Sequence, residues 1–169
     1  MSSNEKISEW FYLHSQDIYH FLIYYIGSQD VEDLVQEVFV RAIKSIDSYE
    51  GKSSPKTWLF SIARHVAIDE IRRKKRSKLK GALLLKSEHE VINRETPEGI
   101  IELNERQKEL YNAIQSLKTS YRDVIVLRGI KELTVQETAH ILAWSENKVR
   151  LTYHRALKVL QKEKGRFVL

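Results

Sequence analysis

Seven of the nine residues in 72–80 (RRKKRSKLK) are basic and none is acidic. Just upstream stand Tyr49, Trp58, Phe60, Arg64 and His65. Aromatic rings that stack on bases, flanked by cations that hold phosphates, are how proteins grip an opened nucleic-acid strand. Trp58 is expected mainly in the core. Phe60 lies off the Leu59/Ile62/Ala63/Val66 stripe and is the expected exposed aromatic. A second cluster, residues 146–166, carries seven basic and two acidic side chains. At helical spacing it shows Glu146, Asn147, Arg150, Leu151, His154, Arg155 and Lys158 on one face. Arg and Asn can bond guanine and adenine edges in a major groove, Leu can touch a thymine methyl, and the later Lys and Arg suit phosphates.

The whole chain has a net charge of only +5. Outside the two clusters the remainder is at −7, so the protein is two basic segments on an acidic body. Two such segments point to two contacts with polyanions. Catalytic constellations are missing. The sequence has no cysteine, which excludes a thiol nucleophile, a thiolate metal site and disulfides, and suits a reducing cytoplasm. Gly51-Lys52-Ser53 matches the end of a phosphate-binding loop, but that loop needs a glycine where Ile46 stands. The six histidines have no metal-ligand spacing: His89-Glu90 lacks a second histidine, and His14 and His20 are badly spaced. There is no G-x-S-x-G elbow. No cofactor, metal or small-molecule substrate is expected. No run approaches the roughly 18 apolar residues of a membrane helix, so direct membrane insertion is not expected either.

The elements that must position these residues are helices throughout. Apolar residues recur at helical spacing in 6–26, ending at Gly27, and in 31–46, with Asp30 as the expected N-cap. SYEGKSSP reads as a loop, and Ser54-Pro55 as cap and first turn of a helix to about Arg76. Periodicity fades over 78–96, a linker in which LKGALLLK suits a helical turn. Thr96-Pro97 opens a further helix, with Ile100, Leu103, Leu110, Ile114 and Leu117 on its core side. Ser120 with Asp123 resembles a capping box for a short helix ending near Gly129, and Thr134 with Glu137 resembles another. The fold class is all-α: two small helical domains, 1–77 and 97–169, joined by a flexible linker.

Residues 134–160 (TVQETAHILAWSENKVRLTYHRALKVL) have the spacing of a helix-turn-helix. A helix over 135–142 is followed by a turn of Ala143, Trp144 and Ser145, and then by a long helix capped by Ser145. Position 143 commonly holds glycine in this motif. The plainer alternative is a helical hairpin with a solvated basic face. In the first half, helix 31–46 presents Glu32, Asp33, Gln36 and Glu37, either a solvated acidic face or a dock for a basic protein helix.

DLVQEVFVRAIKSIDSYEGKSSPKTWLFSIARHVAIDEIRRKKR resembles region two of an extracytoplasmic-function RNA polymerase sigma factor, of the sigma-70 superfamily. The C-terminal helix-turn-helix resembles region four. EGKSSPKTWLFSIARHVAID and QETAHILAWSENKV further resemble the sigma-X-like branch. The resemblance implies a subunit that binds core RNA polymerase, directs initiation at promoters and helps open the strands. Asp33, Leu34, Gln36, Glu37, Val40 and Arg41 would dock on the polymerase β′ clamp, with β also in contact. Tyr49, Lys52, Ser53, Ser54, Lys56, Phe60, Arg64, His65, Asp69, Arg72 and Arg73 would read and hold the opened −10 element. Ser145, Glu146, Asn147, Lys148, Arg150, Leu151, His154, Arg155 and Lys158 would meet the −35 duplex. In the recognition helix Val149, His154, Arg155 and Ala156 match the family pattern, while Leu151 and Thr152 stand where polar and basic residues are common. The linker would thread the polymerase, and an anti-sigma factor would be a further partner. The competing reading from the residues is a regulator that binds a DNA palindrome as a dimer.

Overall fold

The computed structural model describes residues 1–84 and 105–163. Every regular element among them is helical. The expected helix start at Thr96-Pro97, Ile100 and Leu103, residues 85–96 of the linker, and Lys164 and Arg166 lie outside the described residues. Helix α1 spans Ser3–Ile26. Ser2 and Glu5 close a reciprocal capping box at its start. It stops at Gly27, whose φ of 77° needs a residue without a Cβ, and the Gly27 N–H bonds the Ile23 carbonyl at 2.8 Å.

Helix α2 covers Glu32–Ser45 and runs into a short 3₁₀ turn, Ile46–Ser48. Its N-cap is Val31 and not Asp30. Val31 is fully buried, and holding its side chain in the core shifts the helix start by one residue. Helix α3, Pro55–Leu84, starts with the Thr57 N–H on Ser54 Oγ at 3.2 Å. It continues past Arg76, so the basic run lies on an unbroken helix.

Helices α1, α2 and α3 form a bundle around Ile18, Phe21, Leu22, Val38, Leu59 and Ala63. Phe60 is part of that core and not an exposed ring: it is fully buried, edge-on to Phe21 with centroids 5.5 Å apart. The stripe reading failed there because α3 is covered both by its bundle partners and by a helix of the second half. Its buried arc is wider than one stripe.

The second half comprises α4 (Glu105–Ser116), α5 (Thr119–Val124), α6 (Val135–Leu142) and α7 (Glu146–Glu163). Between α5 and α6 the chain widens into a π-helical turn, Ile125–Ile130, and the helical segment ends beside Gly129 as expected. Ser120 and Asp123 form no cap: α5 begins after Lys118 with no side-chain bond. The Thr134–Glu137 box is formed as expected. So is the Ser145 cap, whose Oγ accepts from the Lys148 N–H at 3.1 Å. Buried Leu127, Leu133, Ile141, Leu142, Val149, Ala156 and Leu160 pack this half. The two halves rest on each other through α1 with α4 and the π turn, and α3 with α6, and their apolar residues form one continuous core.

Candidate nucleic-acid interface

Helix α7 presents its polar face to solvent. Ser145, Glu146, Asn147, Lys148, Arg150, Leu151, His154, Arg155 and Lys158 are all exposed, whereas Val149, Ala156 and Leu160 hold the other side in the core. Leu151 is half in the open at 50% exposure, unusual for leucine and suited to an apolar contact in a groove. Ala143 makes the turn in the left-handed region, φ 55°, taking the place glycine commonly fills. Lys148 lies over the Trp144 ring at 4.3 Å, and Arg150 Nη1 reaches Asn147 Oδ1 at 3.4 Å. These contacts hold two candidate base-reading side chains toward the start of the helix.

In the first half the candidate strand-holding residues separate into three groups. Tyr49 packs in a ring cluster with Trp10 and Trp58: centroids are 5.5 Å from Trp10 to Tyr49, 5.9 Å from Trp10 to Trp58 and 5.0 Å from Tyr49 to Trp58. The Tyr49 hydroxyl donates to the Ser53 carbonyl and so pins the loop that carries Lys52, Ser53 and Ser54. Burial raises the Tyr49 pKa, which keeps that hydroxyl protonated as a donor. Lys52 is exposed and paired with Glu50 at 2.8 Å.

The second group, His65, Asp69, Arg72 and Arg73, is exposed along α3 and continues into the basic run. Arg73 is paired with Glu70 at 2.6 Å, and that hydrogen bond holds the Glu70 carboxyl below its ordinary range despite some burial.

The third group faces the other half of the protein. Arg64 donates from Nε and Nη2 to Asp123 Oδ1 and Oδ2 at 2.9 and 3.0 Å. The Tyr25 hydroxyl donates to the same Asp123 Oδ1 at 2.7 Å. Burial and then the Asp123 charge push the Tyr25 pKa far up, so its proton stays in that bond. Burial works against the Arg64 charge, but the hydrogen bonds and charge of Asp123 outweigh it and raise its pKa. Lys56 lies 3.6 Å from Asp17, which also binds Lys131 of the π-turn segment at 2.9 Å. Thr57 Oγ1 reaches Glu137 of α6 at 3.4 Å. Lys52, Ser53, Ser54 and Thr57 of the first half and Gln136, Glu137 and His140 of α6 line a pocket of about 250 Å³.

On α2, Asp33, Gln36, Glu37 and Val40 are exposed, while Leu34 and Arg41 are half-buried. Arg41 bridges Glu37 and Asp69, each at 3.0 Å, tying the acidic helix to α3. Between α1 and α2 a cleft of about 390 Å³ is lined by Phe11, Ser15, Gln16, Tyr19, Glu32, Val35 and Gln36. Tyr12 and Leu13 of α1 and Val40 and Ile43 of α2 are also exposed, as is Phe11 of the cleft.

The sequence profile of Sigma-70 region 2 matches residues 11–77, and that of Sigma-70 region 4 matches residues 102–160. The ECF RNA polymerase sigma factor SigX of Bacillus subtilis is 41% identical over 150 residues, covering 87% of this chain and 77% of that protein. This chain is an extracytoplasmic-function RNA polymerase sigma factor. The sigma factor YlaC of the same organism is 31% identical over 166 residues, covering 96% of this chain and 94% of that protein. The fold is that of the sigma factor RpoE crystallised with the anti-sigma factor NepR from Bartonella quintana: TM-score 0.73 at 22% identity, over 97% of this chain and 99% of that one. CnrH, solved with the cytosolic domain of CnrY, gives 0.69 at 21% identity, over 98% and 91%.

As a sigma factor the protein is a transcription initiation factor acting with RNA polymerase at promoter DNA, and it is not an enzyme. The matches to regions two and four set aside the dimeric regulator. The sequence assigns no functional part to Gln115 or Arg122 and offers Asp123 only as half of a capping box; its clasp by Arg64 and Tyr25 is a finding of the structure. The signal for Asp123 was present, since it is the single acid in the apolar stretch YRDVIVL. Its partner on α3 could not be read from spacing. Trp10 completes the ring cluster from the apolar stripe of α1. No helix among the described residues is long and apolar enough to cross a membrane.

Proposed function

We propose a division of labour between the two halves of this sigma factor. Residues 1–77 bind core polymerase and the −10 element, 97–169 bind the −35 element, and 78–96 connect them. On α2, Asp33, Leu34, Gln36, Glu37, Val40 and Arg41 dock on the β′ clamp helices, where the acidic face meets a basic partner. Tyr49, Lys52, Ser53, Ser54 and Lys56 of the loop and helix start, with His65, Asp69, Arg72 and Arg73 of α3, hold the opened −10 strand. Trp58 takes the stacking role first given to Phe60. Arg64 joins this group when it is free of Asp123. An extruded base costs a few kcal/mol, so a pocket that accepts it both reads the sequence and favours melting. Helix α7 enters the major groove at −35, with Arg150 and Asn147 on base edges, and Arg155 and Lys158 on phosphates.

The solvent-facing polar side of α7, taken with the loop pinned by Tyr49, carries this reading. The protein works in the cytoplasm, and an anti-sigma factor is a partner, as NepR is for the sigma factor RpoE whose fold this chain shares. Transcription in vitro with purified core polymerase, followed by mapping of start sites, tests the proposal. Starts should fall downstream of one asymmetric pair of elements, and α7 variants should lose dependence on the upstream element only. Starts indifferent to both elements would refute it.

A further inference from the structure

Of the exposed residues from Ser145 to Lys158, Leu151 alone is apolar. Leu13, Leu79 and Leu83 are open too, so exposure is not what singles it out. Its place does. Leu151 lies in the second turn of α7, with Asn147 one turn before it and His154 and Arg155 one turn after, all exposed. Buried Val149 and Ala156 fix the rotation of the helix about its axis and keep this side outward. Two neighbours are drawn away from it. Lys148 holds its ammonium over the Trp144 ring, 4.3 Å from the centroid, and Asn147 Oδ1 accepts from Arg150 Nη1 at 3.4 Å. Leu151 is left half uncovered, in the part of a helix-turn-helix second helix that meets base edges.

A leucine cannot hydrogen-bond a phosphate or a base edge. The one apolar group that base pairs display in the major groove is the C5 methyl of thymine. Cytosine offers an amino donor beside that place, and covering the donor with a leucine costs free energy. Thymine is therefore favoured over cytosine on both counts. An α-helix rises about 1.5 Å per residue, so Leu151 stands about 6 Å beyond Asn147, roughly two base-pair steps at about 3.4 Å each. Polar residues are common at this position in the family pattern, so the contact is particular to this chain.

We propose that Leu151 is a specificity-determining residue: it selects a thymine in the −35 duplex by covering its methyl group, within about two base pairs of the pair read by Asn147 and Arg150. The proposal rests on the −35 role given to α7 above and adds the group that its apolar residue recognises.

Deoxyuridine removes that methyl and changes nothing else in the base. The full chain is assembled with Bacillus subtilis core RNA polymerase, and binding is measured to the promoter fragment found by start-site mapping. Each thymine of the upstream element, on either strand, is replaced in turn by deoxyuridine. One replacement should weaken binding about fourfold, the worth of one covered methyl. Leu151→Ala should bind the unmodified fragment more weakly by about the same factor or more, and should be indifferent to deoxyuridine at that place. Leu151→Met keeps an apolar reach and should restore the sensitivity. With cytosine at the sensitive place, adding the methyl as 5-methylcytosine should tighten binding of the parent and not of Leu151→Ala. Leu151 is exposed, so the variants should keep the helical circular dichroism of the parent.

The assignment is overturned if no thymine is sensitive, or if Leu151→Ala responds to deoxyuridine as strongly as the parent does. A loss in Leu151→Ala that is equal with and without the methyl would place the leucine against protein or backbone, and overturns it as well. Binding that ignores the whole upstream element would overturn the −35 role of α7 and the assignment with it. Binding that needs the element and ignores its methyl groups would overturn the assignment alone.

Discussion

Replacing Phe60 separates a core role from a base-stacking role, because the two predict opposite patterns. The ring is fully buried and makes an edge-on contact with Phe21 at 5.5 Å. Truncation to Ala removes that contact and leaves a cavity in the first bundle, at a cost of about 3–5 kcal/mol. Against a total stability of about 5–15 kcal/mol this is a large share. At about 2–4 °C per kcal/mol for a chain of this size, the melting midpoint should fall by about 6–20 °C. Phe60→Leu keeps most of the apolar volume and should cost about 1–1.5 kcal/mol. Urea and thermal unfolding followed by circular dichroism supply the stabilities. Binding of the polymerase complex to a fork-shaped promoter fragment with a single-stranded −10 segment supplies the function. Phe60→Leu should bind the fork like the parent, and Trp58→Ala, at the half-buried ring beside Tyr49, should bind it more weakly. A Phe60→Leu protein that folds normally yet loses the fork while keeping the −35 duplex would refute the core assignment.

Other expectations follow from single contacts. Arg150→Ala should lose about 1–3 kcal/mol of −35 binding on the preferred sequence and little on mismatched ones; an equal loss on all sequences would make Arg150 a phosphate contact. Ala143→Gly should stabilise the protein by about 1 kcal/mol in urea melts, because the left-handed turn at φ 55° strains a Cβ; a loss of stability would mean the turn tolerates Ala. Burial opposes the Asp17 charge, but Lys131 and then Lys56 outweigh it and hold its carboxyl below the ordinary 3.8. A depressed carboxylate contributes stability above its unfolded value and loses it as the pH falls through the folded one. The stability difference between parent and Asp17→Asn should therefore be widest near neutrality and close in acid below that value. A difference that is flat across that range would show that the charge of Asp17 does not matter.

Elements governed by near neighbours were legible. Gly27 ends α1, Ser54, Thr134 and Ser145 cap their helices, and the polar face of α7 is exposed where its period places it. Caps and amphipathic periods depend on residues within one or two turns, which a sequence displays directly. Position 143 was also readable, for the turn forces a left-handed residue whatever side chain stands there. The errors share a cause. Asp30 lost the cap of α2 to the burial of Val31, Phe60 was drawn into a core shared by more than one neighbour, and Asp123 left its expected box to pair with Arg64 and Tyr25.

Composition and period by themselves determined an all-helical chain with two basic segments, and its motifs carried the resemblance to a sigma factor. Period also determined that the polar side of α7 would face water, since its apolar and charged residues already lie on opposite sides. Only the tertiary structure decided which of the cations proposed to hold the strand are paired within the protein. Arg64 and Asp123 are 59 residues apart, and a hydrogen bond between them depends on how two halves pack. Burying an acid requires a partner wherever the fold can provide one, and that partner is chosen in space and not along the chain.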